Sequence, residues 1–411
     1  MRVILHSDLN NFYASVEQIF SPGLKNEYFA VCGSVSDRHG IILAKNENAK
    51  RIGIKTGMTL VDAYKLCPAL VTSEAHFDKY LHYSRLVRDI YRKYTDRIEP
   101  FGIDEAWLDV THSGIFGDGK EIADKIRADV RELGLTCSVG VSFNKVFAKL
   151  GSDMKKPDAT TIISQDNFKD TVWNLPCDEM IMVGKATKKK LNKFNVNTIG
   201  DIACSDKNFL IKNFGKWGEY LYTFANGADN SPVKPDSESD VVKSVGNSMT
   251  CYRDLTDVED VKIMFSVLSD SVSARLLDYK AGRATVVSIT VKDENLSSFT
   301  RQKTLLHPSV LAEDFYEAAV DLFVKNYDFS LAVRSLGISV SGFDSGEMQT
   351  SFFLDDDDYE KRVKLAETVG EIRKKFGASS LKKAIGLKDK RISRENPKDN
   401  HTIHPEGFLK K

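Results

Sequence analysis

Disulfide-competent cysteine pairs are missing from this sequence. Its six cysteines (Cys32, Cys67, Cys137, Cys177, Cys204 and Cys251) are scattered and contain no CxxC pair. That reads as reduced, intracellular thiols rather than a disulfide framework or a cysteine-built zinc site. Long apolar runs are missing too: none reaches the roughly 18–20 residues that a membrane helix needs. The opening MRVILHSDLNN has one Arg and only a short apolar run, so no signal peptide is expected. An excess of either charge is absent, with 58 Lys+Arg against 58 Asp+Glu, so bulk electrostatics do not announce a nucleic-acid partner. The eight His show no metal-ligand spacing and read as structural.

What is present is a folded chain of 411 residues, 42% hydrophobic, long enough for two to four domains. The charge is balanced in sum but not in distribution. VGKATKKKLNK (183–193) holds five Lys and no acid, and residues 359–411 hold 15 Lys+Arg against 7 Asp+Glu. SPVKPDSESD (231–240) has the Pro, Ser and acid content of a linker. The run DDDD at 355–358 reads as solvating charge, and the polar tail after the next helical stretch as disordered.

FGIDEAWLDV (101–110) places Asp104 and Glu105 side by side in an apolar, strand-like context. Buried carboxylates are costly unless paired or bound to metal. The order of elements supplies a partner. RVILHSD reads as a strand and NNFYASVEQIF as a helix capped by Asn10 or Asn11. FDKYLHYSRLVRDIYRKY reads as a helix, DRIEPFGI and AWLDVTH as paired strands, GKEIADKIRADVREL as a helix and TCSVGVS as a strand. Apart from a loop-rich insertion running to about residue 77, this is β-α-β-β-α-β, the split-βαβ plan. In that plan the end of strand one lies beside the start of strand three. Asp8 would then meet Asp104 and Glu105 at one sheet edge, where three carboxylates repel one another and invite divalent cations. The same element order recurs from KSVGNSMT (243–250) to VRSLGISVSGF (333–343).

Four stretches in this order and spacing, HSDLNNFYASVE, ILAKNENAK, FGIDEAWLDV and VGVSFNKVFAKLGSDMKKP, resemble the Y-family DNA polymerases, and within them the bacterial DNA polymerase IV branch. The resemblance runs over about residues 1–345. It implies an α+β multidomain fold: a split-βαβ palm (1–10 and 78–165), a fingers insertion (11–77), a helical thumb with a helix-hairpin-helix (166–232), a linker (233–242) and a second βαββαβ domain, the little finger (243–342). A clamp-binding segment and basic tail (343–411) would follow. It further implies primer-template DNA and deoxynucleoside triphosphates as partners, and two Mg²⁺ ions as cofactors, with Mn²⁺ as a substitute. Asp8, Asp104 and Glu105 would hold the metals with the Leu9 carbonyl. Asn10, Asn11, Phe12 and Tyr13 would cradle the triphosphate at a helix start, with Tyr13 as the steric gate against a ribose 2′-hydroxyl. Ile41 and Leu43 would roof the nascent base pair, and Lys156 would reach the β- and γ-phosphates. Where many relatives carry a Tyr and an Arg, this chain has Glu47 and Lys50; Lys50 is kept as a phosphate contact and Glu47 is not.

MVGKATKKKL (182–191) resembles the helix-hairpin-helix, with Met182 in place of the first hairpin glycine. Gly184, Lys185, Lys188 and Lys189 are its expected DNA contacts. In the second unit the acids outnumber the cations, so the cations would have to gather on one face, with Lys243, Arg253, Arg301, Lys303 and Arg334 as candidates. QTSFF (349–353) resembles the bacterial sliding-clamp peptide, implicating Gln349, Phe352 and Phe353. A monomer is the default. Two other readings compete: a nucleotidyl cyclase on a palm-type fold, and a catalytically inactive DNA-binding scaffold.

Overall fold

The computed structural model describes residues 2–33, 40–235, 241–344, 356–377 and 380–394. These form two compact units that part near residue 240.

The first unit starts with β1 (Ile4–Leu9) and α1 (Phe12–Phe20). The insertion that looked loop-rich in sequence contains its own small sheet. β2 (Phe29–Cys32) lies between β3 (Ile42–Lys45), antiparallel, and β4 (Val71–Glu74), parallel, with the short helices α2 (Glu47–Arg51) and α3 (Leu60–Leu66) packed on it. Each strand is only four residues long, and all four of β2 are buried, so no alternation betrays it. α4 (Phe77–Arg92), β5 (Ile98–Pro100), β6 (Glu105–Asp109), α5 (Gly119–Glu132), β7 (Cys137–Ser142), α6 (Lys145–Met154) and β8 (Thr160–Ile163) complete the main layer. Its sheet has the order β5-β6-β1-β7-β8.

β1 is central and buried almost throughout, so its two faces do different work. Leu5 and Leu9 join the core built with α1, α4 and α5. Ile4, His6 and Asp8 point to the other face, where α6 lies. α6 sits flush on β7 because Gly140 has no side chain: a Cβ there would stand 1.9 Å from the Ala148 carbonyl oxygen and 2.6 Å from the Ser152 nitrogen. On its outer side α6 contributes Val146, Phe147 and Leu150 to a core shared with α7 (Phe168–Val172), α8 (Lys185–Asn192), α9 (Ile199–Cys204), α10 (Lys207–Phe214) and α11 (Lys216–Ala225). The chain then returns over the main layer. Val233 is buried with Ile4, Trp107 and Ala148, and the Lys234 N–H donates to Glu99. The first residues of the expected linker are therefore packed rather than free.

The second unit is a four-stranded antiparallel sheet, β11-β10-β12-β9, formed by β9 (Ser244–Leu255), β10 (Arg283–Asp293), β11 (Ser298–Ser309) and β12 (Val333–Asp344). α12 (Val258–Tyr279) and α13 (Ala312–Asn326) cover one face. The helix expected after the acidic run is α14 (Asp356–Phe376), which lays Tyr359, Val363 and Ala366 against this core. The expectation of disorder in the polar tail beyond it is overturned over residues 380–394, where Ile392 is buried in the same core. Four ion pairs fasten α14 and this segment to α12: Arg373 and Lys383 to Asp270 (3.1 and 2.9 Å), Lys374 to Asp278 (2.7 Å) and Lys388 to Glu259 (2.7 Å). In sequence these lysines looked like a solvated basic tail because their acidic partners lie about 100 residues upstream.

Candidate active site

β1 and β6 pair antiparallel with Asp8 opposite Glu105, and the Leu9 N–H donates to the Asp104 carbonyl at 3.0 Å. Register alone thus places three carboxylates at the end of one strand pair. Glu105 and Trp107 share the face of Asp8 and His6, beneath α6. Lys156, just beyond α6, lies 2.8 Å from Asp8 Oδ2 and 2.8 Å from Asp153 Oδ1. Lys149, on α6, pairs with Glu105 Oε2. Buried His6 holds its Nδ1 2.9 Å from Ser152 Oγ and its Nε2 3.4 Å from Glu105 Oε2. Burial, reinforced by Lys149, Lys156 and Lys145, keeps this imidazole well below its ordinary pKa, hence neutral. His6, Lys149 and Asp153 were not singled out from the sequence. The available signal was spacing: Asp153 lies three residues before Lys156, already chosen, and Lys149 lies one helical turn before Asp153.

Burial, with the charge of Asp8 second, pushes the Asp104 carboxyl up to about 6. Burial also raises Glu105, to about 7, against the pull of Lys149 and with a smaller push from Asp8. Among the described residues no three His, Cys, Asp or Glu side chains converge closely enough to hold a metal ion as they stand; Glu105 and Asp8 are engaged by the two lysines instead. The donor set nonetheless suits a hard divalent cation. It is all oxygen, its members repel one another, and a cation would relieve the cost of keeping Asp104 and Glu105 ionised.

Asn11 is the N-cap of α1, in the left-handed region at φ 50°, but its side chain does not cap; Nδ2 donates to Glu47 Oε1 at 2.8 Å. Asn10 is buried and braces the palm: its Nδ2 donates to Ser138 Oγ (3.0 Å), its Oδ1 accepts from the Asp158 N–H (2.8 Å), and its own N–H donates to the Thr136 carbonyl. The Asn10 N–H is thus already spent. Both residues line a polar cleft of about 290 Å³ with Asn46, Glu47, Pro157 and Asp158. Phe12 is core. The Tyr13 ring stacks on Tyr80 with centroids 4.4 Å apart and planes 7° from parallel, and Tyr80 is anchored by its hydroxyl on buried Glu17 (2.7 Å). Burial, then the nearby charge of Asp104, pushes the Tyr13 hydroxyl up to about 12. Ile41 is 43% exposed and Leu43 half-buried, while Ile42 between them is core. Lys50 lies 3.7 Å from Glu47.

The thumb hairpin holds Met182 at φ 72°, a conformation that favours glycine, and Gly184 is the N-cap of α8. Lys185 and Lys189 are exposed, whereas Lys188 pairs with Asp178 at 2.8 Å. In the second unit Arg253 grips Asp260 with both terminal nitrogens (2.6 and 2.7 Å), Lys303 pairs with Asp321 on α13 (2.7 Å), and Arg301 donates to Asn326 on α13. Lys243 is exposed and Arg334 half-buried. The sheet face turned away from the helices is nearly uncharged. Its cross-strand rows run Thr304-Val286-Ser341-Ser244, Gln302-Ser288-Ser339-Gly246, Thr300-Thr290-Gly337-Ser248 and Ser298-Lys292-Ser335-Thr250. Gln349, Phe352 and Phe353 lie outside the described residues.

Comparison with known proteins agrees with this architecture. Residues 7–153 match the model of the impB/mucB/samB family, residues 242–352 that family's C-terminal domain, and residues 181–229 the DNA polymerase-iota thumb domain. The chain is 48% identical to DNA polymerase IV of Acetivibrio thermocellus, covering 96% of this chain and 99% of the relative. It is 36% identical to DNA polymerase IV 1 of Bacillus subtilis, covering 94% of each. Among solved structures, a Y-family polymerase chimera of Dbh and Dpo4 is similar with a TM-score of 0.72, at 26% identity over 83% of this chain and 99% of that one. The insertion ternary complex of Dbh DNA polymerase is similar with a TM-score of 0.58, at 25% identity over the same shares. Family models, full-length relatives and fold together place the chain in the Y family of DNA polymerases, on its DinB-type branch.

Proposed function

We propose that the edge formed by Asp8, Asp104 and Glu105 is the centre at which this template-directed translesion DNA polymerase joins deoxynucleotides to a primer 3′-end. The observation that carries the reading is the register of Asp8 opposite Glu105, with Asp104 adjacent. Asp8, the Leu9 carbonyl, Asp104 and Glu105 would hold two magnesium ions, for which manganese can substitute. Such ions, when bound, lower the pKa of an attacking hydroxyl and neutralise a leaving pyrophosphate. The protein's own groups do the rest. Tyr13, fixed face-on against Tyr80, presents a rigid ring where a ribose 2′-hydroxyl would clash. With the Asn10 N–H committed, the phosphate cradle falls to the N–H groups of Asn11, Phe12 and Tyr13 at the start of α1. Lys156 can exchange Asp8 for the β- and γ-phosphates, and Ile41 and Leu43 roof the base pair.

Gly184, Lys185, Lys188 and Lys189 of the thumb, and Lys243, Arg253, Arg301, Lys303 and Arg334 of the second unit, are the proposed DNA contacts. Gln349, Phe352 and Phe353 are proposed to tether a sliding clamp, and the protein to act as a cytoplasmic monomer; among the described residues no helix is long and apolar enough to cross a membrane. The test is primer extension with Mg²⁺ by Asp104→Ala. Extension should fall by orders of magnitude while primer-template affinity is kept; extension at the parental rate refutes the assignment. A cyclase leaves the thumb and second unit without a purpose, and an inactive scaffold does not explain three retained carboxylates.

A further inference from the structure

An asparagine at the start of a helix ordinarily turns its side chain back onto the first turn. Two asparagines of this chain do so. Asn46 accepts from the Ala49 N–H at the start of α2 (3.0 Å) and Asn144 from the Phe147 N–H at the start of α6 (2.8 Å), both from extended backbone, with ψ at 173° and 167°. Asn11 does not. Its backbone is left-handed (φ 50°, ψ 37°), its side chain makes no bond to α1, and its Nδ2 donates instead to Glu47 Oε1 at 2.8 Å. Glu47 belongs to another element, as the first residue of α2. Its place is fixed from behind: Asn46 also accepts from the Phe29 N–H (3.2 Å) and donates to the Glu27 carbonyl (2.9 Å), tying the start of α2 to the fingers sheet. With the Asn11 side chain drawn away, the N–H groups of Phe12, Tyr13 and Ala14 meet no acceptor among the described residues. Tyr13 and Ala14 are the positions a capping asparagine would take.

We infer that Glu47 is a positioning residue for the triphosphate of the incoming nucleotide: by holding the Asn11 side chain, it keeps the first-turn N–H groups of α1 open to phosphate. The inference rests on the polymerase reading above, in which those N–H groups form the cradle. Without the bond, Asn11 returns to extended backbone and caps α1. Its side-chain oxygen then takes an N–H that an anion would otherwise meet. Glu47 itself touches no phosphate in this arrangement. Its carboxylate stands 3.7 Å from the Lys50 ammonium, which offsets its charge. A residue that departs from the family pattern thereby acts through the groups it arranges.

Glu47→Gln keeps an oxygen that can accept from Asn11 and removes the charge. Glu47→Met has the same unbranched reach, also removes the charge, and offers no such acceptor. The two variants share the electrostatic change, including the release of Lys50, and differ in the hydrogen bond. KM and kcat for a correct nucleotide, Kd for inorganic tripolyphosphate by calorimetry without DNA, and melting temperature are to be measured on the full-length protein. KM and the tripolyphosphate Kd should be about fivefold higher for Glu47→Met than for Glu47→Gln, the size of one cap bond, with kcat alike and the melting temperature no lower. Asn11→Gly keeps the left-handed turn and has no capping side chain; in that background the Gln and Met variants should bind tripolyphosphate alike. Equal KM and equal tripolyphosphate Kd for the two variants with Asn11 present overturn the inference. A difference that persists in the Asn11→Gly background also overturns it, because Glu47 then acts without Asn11. So does a Glu47→Met variant that loses kcat and melting temperature while binding tripolyphosphate as Glu47→Gln does, which leaves a structural contact only. The polymerase reading fails separately, if Asp104→Ala extends primers at the parental rate; the tripolyphosphate comparison needs no primer and still decides the role of Glu47.

Discussion

Replacing Asp104 with Asn should make the protein more stable and far less active. The carboxyl is raised from 3.8 to about 6 by burial and by Asp8. A group that binds its proton more tightly in the folded state contributes stability that is complete below about pH 4 and lost as the pH climbs through about 6. At pH 7.5 the ionised native state therefore carries a penalty with a ceiling of about 3 kcal/mol, from two pKa units at 1.36 kcal/mol each. Lys149 and Lys156 stay nearby and the site relaxes around the charge, so about 1–2 kcal/mol is the expected gain for Asn. For a unit of this size that is about 2–8 °C in melting temperature. The assay is thermal unfolding of parent and variant from pH 4 to 7.5 with chelator present. The gap should be near zero at pH 4 and open through pH 6, and added Mg²⁺ should narrow it by stabilising the parent alone. A variant that melts at or below the parent at pH 7.5, or a gap that does not close toward pH 4, refutes the reasoning.

Tyr13→Ala should admit ribonucleotides, read as a rise of orders of magnitude in their kcat/KM; unchanged rejection assigns the gate elsewhere. Gly140→Ala should cost at least about 2 kcal/mol, because its Cβ would overlap the α6 backbone, and activity should fall with it; urea unfolding checks this. Ile392→Ala should destabilise the second unit by about 2–4 kcal/mol, measured by proteolysis of that unit, whereas a solvated tail would show no change. Phe352→Ala with Phe353→Ala should abolish stimulation by the cognate clamp and leave single-nucleotide insertion intact. Lys189→Glu should weaken DNA binding equally on unrelated sequences and flatten its salt dependence.

The split-βαβ plan was legible because its strands and helices are long enough to show their periods, and because Asp8, Asp104 and Glu105 fall at strand ends that the topology brings together. The fingers sheet was not legible: its strands are four residues long, too short to show a period, and central β2 is buried on both faces. The ordered C-terminal segment was hidden for another reason. Its lysines read as solvated until the fold supplies Asp270, Asp278 and Glu259 across about 100 residues. The site itself was only partly visible. The carboxylates could be found from pattern and topology, but Lys149, His6 and Tyr80 act through contacts between elements, and no local spacing announces that Tyr13 will rest flat on a tyrosine 67 positions away.

The ten-residue helix α6 contributes to two cores at once. Phe147 and Leu150 are sealed into the thumb core, while Lys149 between them reaches Glu105 and Ser152 steadies His6. The thumb core and the carboxylate edge are therefore joined through one helix. A displacement of the thumb helices large enough to follow a distorted duplex must either shear aromatic side chains out of a packed interior or carry α6 along. In the second case the carboxylates would sense how the DNA is seated before any nucleotide arrives.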